Sequence, residues 1–212
     1  MSRVFGLSVL GLLLGGVLLT AQDGGSGPKE GAVLPKPFSC YNFNGAHKGK
    51  FHCLVCDYAL NPVVLVFARE PEEGKDATLN ALLKRLDDAA NEFKKHQLKS
   101  AVVFLSADAQ SSATNPAEAD PKKLVEEAKN REALYARLAD RAAAFKGVDV
   151  AVFPAPGPKD YDLDPKAEVS VVFYNKLRVV ASRAYSPGKL SEEEVDKILA
   201  KVKETLEPVK KK

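Results

Sequence analysis

The chain has 212 residues, 45% of them hydrophobic, and 31 basic against 28 acidic side chains give a formal charge of +3. That length and apolar content suit one domain with a sizeable core. The charge is too small and too dispersed for nucleic-acid binding, and a chain without tryptophan offers few stacking platforms for bases or sugars.

Residues 1–21 read as a signal peptide: Arg3 is a short positive flank, Val4 to Thr20 is apolar and uncharged, and Ala21 offers a cleavage point, although Leu19 is larger than such sites prefer. No cysteine follows the apolar run, so a lipid anchor is not supported. An uncleaved anchor is the alternative, with a run at the lower limit for spanning a bilayer. The expected product is an exported protein, periplasmic or secreted, without membrane contact after cleavage, in a compartment where disulfides persist. Residues 22–36, rich in Gly and Pro, read as a flexible linker, 37–207 as the folded domain and 208–212 as a solvated basic tail.

Pro37 to Lys50 reads as a short hairpin turning at Asn44-Gly45. Cys53-Leu54-Val55-Cys56 and Asp57 to Asn61 form an irregular bridge into Pro62 to Arg69, whose unbroken apolar run predicts a strand buried on both faces. Leu79, Leu82, Leu83, Leu86, Ala90 and Phe93 predict a helix over 76–97, and Ala101 to Ser106 a second buried strand. Pro121 suits a first helical turn, and Leu124, Ala128, Leu134, Leu138 and Phe145 mark the apolar face of one long helix or two consecutive ones. Val148 to Phe153 is a third strand, and the four prolines between 154 and 165 predict a surface connection. Val169 to Tyr174 and Arg178 to Ala184 form a hairpin, and Ser191 with Glu194 makes a capping box for a last helix. The fold class is α/β: a mixed sheet with helices on both faces and an N-terminal hairpin extension.

From Pro37 to Leu206 this pattern resembles the thioredoxin-like superfamily, in particular its redoxin and peroxiredoxin-like branch. PVVLVFAR resembles the strand before the family's active site, and SVVFYNKLRVVASRAYSPGKLSEEEVDKIL resembles its closing strand, turn, strand and helix. The resemblance implies a catalytic cysteine just past the first central strand, at a helix N-terminus that lowers its pKa. Here that place holds Arg69 to Gly74, and Val169 stands where the family has a cis-proline, Pro165 lying four residues too early. Chemistry of the usual kind at that position is therefore not expected.

Three cysteines are present, Cys40, Cys53 and Cys56. The CxxC of Cys53 and Cys56 can exchange disulfides with protein thiols, with Cys53 attacking, Cys56 or Cys40 resolving and His52 helping to form the thiolate. Alternatively Cys40, His52, Cys53 and Cys56 supply four ligands for Zn or Cu, His47 being able to replace His52. The third reading is a structural disulfide that staples the hairpin to the sheet of a non-catalytic binding module. Asp57 follows the CxxC where a haem attachment motif needs histidine. His47 is expected to be exposed and His96 to be a cation near a helix end. Glu70, Glu72 and Glu73 read as a solvated charge cluster, and Asp160, Asp162 and Asp164 lack the glycine and glutamate of a calcium loop.

Overall fold

The computed structural model describes residues 27–70, 76–110 and 119–208. The leader 1–21, the first residues of the expected linker, Glu72, Glu73, most of the loop before Pro121 and Lys210 to Lys212 lie outside the described residues.

In chain order the elements are β1 (Cys40–Asn42), β2 (Phe51–His52), α1 (Leu54–Tyr58), β3 (Val63–Arg69), α2 (Ala77–Glu92), β4 (Lys99–Ser106), α3 (Pro121–Ala142), β5 (Val148–Pro154), β6 (Val169–Asn175), β7 (Arg178–Tyr185) and α4 (Glu192–Leu206). The strands form one sheet in the order β2-β1-β5-β4-β3-β6-β7. β3, β4 and β5 run parallel; β6 is antiparallel to β3, β7 to β6 and β1 to β5. β3 is central, and Val63 to Ala68 are almost wholly excluded from solvent, as an apolar run without alternation predicts.

Alternate side chains of β3 serve two cores. Val64, Val66 and Ala68 pack with Leu82, Leu83 and Leu86 of α2, Leu134 and Leu138 of α3, and Val195, Ile198 and Val202 of α4. Val63, Leu65 and Phe67 pack on the other face with Leu54, Val55 and Tyr58 of α1, and with Leu34, Cys40 and Tyr161. Helices thus lie on both faces, as expected, but unequally: the three long ones share one face and the other carries only the short α1. The reason is topological: the chain steps from β3 to β4 and on to β5 in the same direction, so two right-handed crossovers put α2 and α3 on the same side. The opposite face is left to short α1 and irregular chain.

That division explains three further departures. The connection 154–165 is more than a surface loop, because Tyr161 is fully buried and its ring meets Phe38 and Phe67, each at 5.3 Å between centroids. The expected linker is docked over its last part: Gly31 N–H donates to the Val179 carbonyl at 2.9 Å and Leu34 N–H to the Leu177 carbonyl at 2.8 Å. β7 is an edge strand with backbone groups to satisfy, and this segment covers it. The Asn44-Gly45 turn is part of an eight-residue connection between β1 and β2. There Asn44 bolts the loop to the body, its Nδ2 donating to the carbonyls of Val148 at 2.9 Å and Ala142 at 3.3 Å while its Oδ1 accepts from Val150 N–H at 2.7 Å. Gly45 (φ 70°) lies against the Asp149 carboxylate, where a Cβ has no room.

The other two long helices expected, α3 and α4, are present among the described residues. α3 is one helix capped by Asp120, whose Oδ1 accepts from Lys122 N–H at 2.9 Å. Ser191 caps α4 by accepting from Glu194 N–H at 3.3 Å, but the Glu194 carboxylate turns to the Tyr185 hydroxyl, at 3.1 Å, and to Lys197. Among the described residues no helix is long and apolar enough to cross a membrane.

Replacing Asn44 by Ala leaves the Val148 carbonyl and the Val150 amide unpartnered and is expected to cost about 2 kcal/mol of stability. Urea unfolding of N44A measures this; a loss under about 0.5 kcal/mol, the scale of ordinary surface substitutions, would show that the loop carries no tertiary load.

Candidate functional site

Cys53 and Cys56 sit on α1, a helix rather than the irregular bridge the sequence suggests. Cys53 is its N-cap, with extended backbone (φ −94°, ψ 98°), and its Sγ accepts a hydrogen bond from Cys56 N–H at 3.1 Å, the role an oxygen usually fills. Leu54, Val55 and Tyr58 point into the core, so the three-residue spacing of the cysteines leaves both toward the surface. They form a disulfide, with Cα atoms 5.3 Å apart. Cys53 is half-buried and Cys56 exposed. Beside Cys56 runs an apolar groove of about 280 Å³ lined by Val33, Leu34, Pro35, Pro37, Val55 and Leu177.

Tyr58 anchors the helix from below. Its hydroxyl donates to Asp149 Oδ2 of β5 at 2.6 Å. Burial raises the Asp149 pKa, while the Tyr58 hydrogen bond and Lys99 pull it partly back. Burial and the facing Asp149 charge likewise raise the Tyr58 hydroxyl.

Cys40 is free and buried, donating its thiol to the His52 carbonyl at 3.6 Å, and burial pushes that thiol up to about 12. The expected ligand set of Cys40, His52, Cys53 and Cys56 is therefore not assembled. The Cys53 and Cys56 sulfurs are bonded to each other, and the His52 ring turns to Asp57. His47, expected in solvent, joins it: the His47 and His52 Nε2 atoms each lie 2.8 Å from one oxygen of Asp57. Their rings stack with centroids 3.5 Å apart. Asp57 is a partner that sequence reasoning missed, since nothing in HKGKFHCLVCD signals a contact across ten residues.

The CxxC lies before β3. At the other end of that strand, about 20 Å away at 3.3 Å per residue, Arg69 is held by the carbonyls of Ala167 and Ala155, each at 3.0 Å, and Glu70 meets Arg137 at 2.8 Å. β6 begins at Val169, and no cis peptide occurs among the described residues. His96 lies in a short turn after α2, 3.8 Å from Glu207.

No protein-family model matches the chain, and no curated protein sequence is similar to it. Solved structures do match. An uncharacterised conserved protein from Geobacillus kaustophilus superposes with a TM-score of 0.51 at 14% identity, over 87% of this chain and 86% of that one. A protein from Bacteroides thetaiotaomicron, described as a protein disulfide isomerase, gives 0.50 at 13% identity over 84% and 90%. A protein from Chlorobium tepidum, described as the thiol:disulfide interchange protein DsbE, gives 0.47 at 14% over 82% and 98%. At these identities the likeness is one of fold: the chain is a thioredoxin-like mixed sheet flanked by helices.

Because the folded Asp149 carboxyl titrates above the unfolded one, the native state holds the proton longer, and stability falls as pH rises through that interval. Asp149→Asn keeps an acceptor for Tyr58 and removes the buried charge. It is expected to be at least as stable as the parent at pH 7 and to lose the decline on going from acid to neutral pH. Thermal unfolding from pH 4 to 8 checks this; a variant that is less stable at pH 7 would show that the charge contributes more than its burial costs.

Proposed function

We propose that the protein is an exported thiol-disulfide exchange protein whose working centre is the Cys53–Cys56 pair, with polypeptide thiols or disulfides as partners. The observation that carries this reading is a disulfide whose second cysteine, Cys56, is an exposed residue at the rim of an apolar groove. A structural staple is less well supported by the geometry: the bridge closes a ring within one helical turn and joins nothing distant, so loop closure stabilises by only about 2 kcal/mol at most.

The roles of the two cysteines are the reverse of those expected from sequence, because exposure selects the sulfur a partner can reach. A partner thiolate attacks Cys56 Sγ, the Cys53–Cys56 bond breaks, and the electron pair leaves on Cys53 Sγ. The Cys56 N–H already directed at that sulfur stabilises the thiolate. A second partner thiolate then attacks the partner's sulfur in the mixed disulfide and releases Cys56 as thiolate. Two thiols of the partner have become a disulfide, and the CxxC holds the two electrons. Run in reverse, Cys56 attacks a partner disulfide and Cys53 resolves. Cys40 takes no part, since a thiol with a pKa of about 12 supplies almost no thiolate.

Cys53→Ser, which leaves Cys56 without its resolving partner, is expected to accumulate a mixed disulfide with a single-cysteine test peptide supplied as its thionitrobenzoate mixed disulfide, the Cys56 thiolate attacking the peptide sulfur and thionitrobenzoate leaving. Cys56→Ser is expected to react at least tenfold more slowly, and the parent pair to equilibrate with glutathione at a potential above about −300 mV. A lower potential, or equal trapping by both variants, would sink the proposal in favour of an inert bridge.

A further inference from the structure

The cluster of His47, His52 and Asp57 has no part in that exchange scheme. We propose that these three residues bind a divalent first-row transition-metal ion of the Zn2+ class, with the fourth coordination position open to solvent.

The donor set fits that class: two imidazole nitrogens and one carboxylate suit Zn2+, Cu2+ or Ni2+, whereas Mg2+ and Ca2+ require oxygen-rich sites. The distances fit as well. Metal bonds of 2.0–2.1 Å set donor atoms about 3.3 Å apart around a tetrahedral ion. Here each histidine Nε2 is 2.8 Å from an Asp57 oxygen, and all three donor atoms lie within 4.8 Å of one another. The two rings stack nearly parallel, at 14°, so ligation requires one imidazole to turn out of the stack until both Nε2 lone pairs converge on the ion.

The donors also stand on supported backbone. His52 belongs to β2, paired with β1 opposite Cys40. Asp57 lies in α1 next to the anchored Tyr58. His47 sits in a turn closed by Lys50 N–H on its carbonyl at 3.1 Å. All three side chains are about one-third exposed, which leaves a route for the ion. Without metal, the two Nε2 atoms face the carboxylate oxygens; to ligate, each ring offers the lone pair of that nitrogen and carries its N–H on Nδ1. As hydrogen bonds alone, such exposed pairs stabilise the fold little, so metal binding is a use for the arrangement that stability is not.

The site contains no sulfur ligand, which separates it from the exchange centre and makes it testable with the disulfide intact. The oxidised full chain, stripped with a chelator, is titrated with Zn2+ against a chromophoric competitor at pH 7.5. One equivalent is expected, with affinity at least 100-fold lower in Asp57→Asn and in His47→Gln, each shown to be folded by circular dichroism. The Cys53→Ser/Cys56→Ser double variant is expected to bind within threefold of the parent, and Zn2+ to raise the Tm of the parent but not of His47→Gln. Binding of less than one equivalent, equal binding by the Asp57 and His47 variants, or loss of binding in the double cysteine variant would each overturn the proposal. None of these outcomes depends on thiol exchange, so failure of the metal site and failure of the proposed function are separable.

Discussion

The handedness of two crossovers governs this molecule more than any single contact. Once β3 is followed by β4 and then β5 on the same side, right-handed connections commit α2 and α3 to one face of the sheet. α4 joins them there, packing Val195 and Val202 into the same core. The other face exposes a row as apolar as the first, Val63, Leu65, Phe67, Val103 and Val172, and must be covered by whatever chain remains. A five-residue helix, the proline-flanked segment before β1 and the loop carrying Tyr161 do that work. The hydrophobic demand of a doubly buried sheet thus pulls the CxxC helix, which has little propensity of its own at that length, into a fixed place.

The two faces consequently differ in how firmly they are held. The helical face rests on long helices with whole turns of buried leucine. The CxxC helix is held to its face by Leu54, Val55 and Tyr58, together with one hydrogen bond to a carboxylate whose own burial is unfavourable. Segments with few buried contacts open locally at lower free energy than the body. Under the proposed exchange function, a centre that admits a second sulfur in line with its own disulfide is well served by the looser side, with rigidity supplied by the sheet beneath it.

Much of the fold was legible from sequence because its signals are local. Runs such as VVLVF and AVVFL, the leucine spacing of α2 and the Ser191 cap each act within a few residues. What was missed acts between distant residues or through the main chain. α1 is too short to show a period. Tyr161 looked like a loop residue because prolines surround it, yet the uncovered face needed a ring there. The docking of Gly31 and Leu34 on β7 uses amides and carbonyls, which every residue has, so no side chain announces it. In the candidate site the CxxC was plain, but the relative exposure of its two cysteines was not: Cys56 stands out further than Cys53 because of where α1 leans, and the joining of His47 to Asp57 depends on how an eight-residue loop folds back.

The segment that covers β7 also supplies a wall of the groove beside Cys56, through Val33, Leu34 and Pro35. One strip of chain thus performs two jobs, shielding unpaired backbone from other molecules and shaping the groove beside the disulfide. If that strip peels away, the groove loses its wall at the moment β7 becomes available for intermolecular strand pairing. The shape of that groove and the protection of the β7 edge are therefore coupled through one segment of chain.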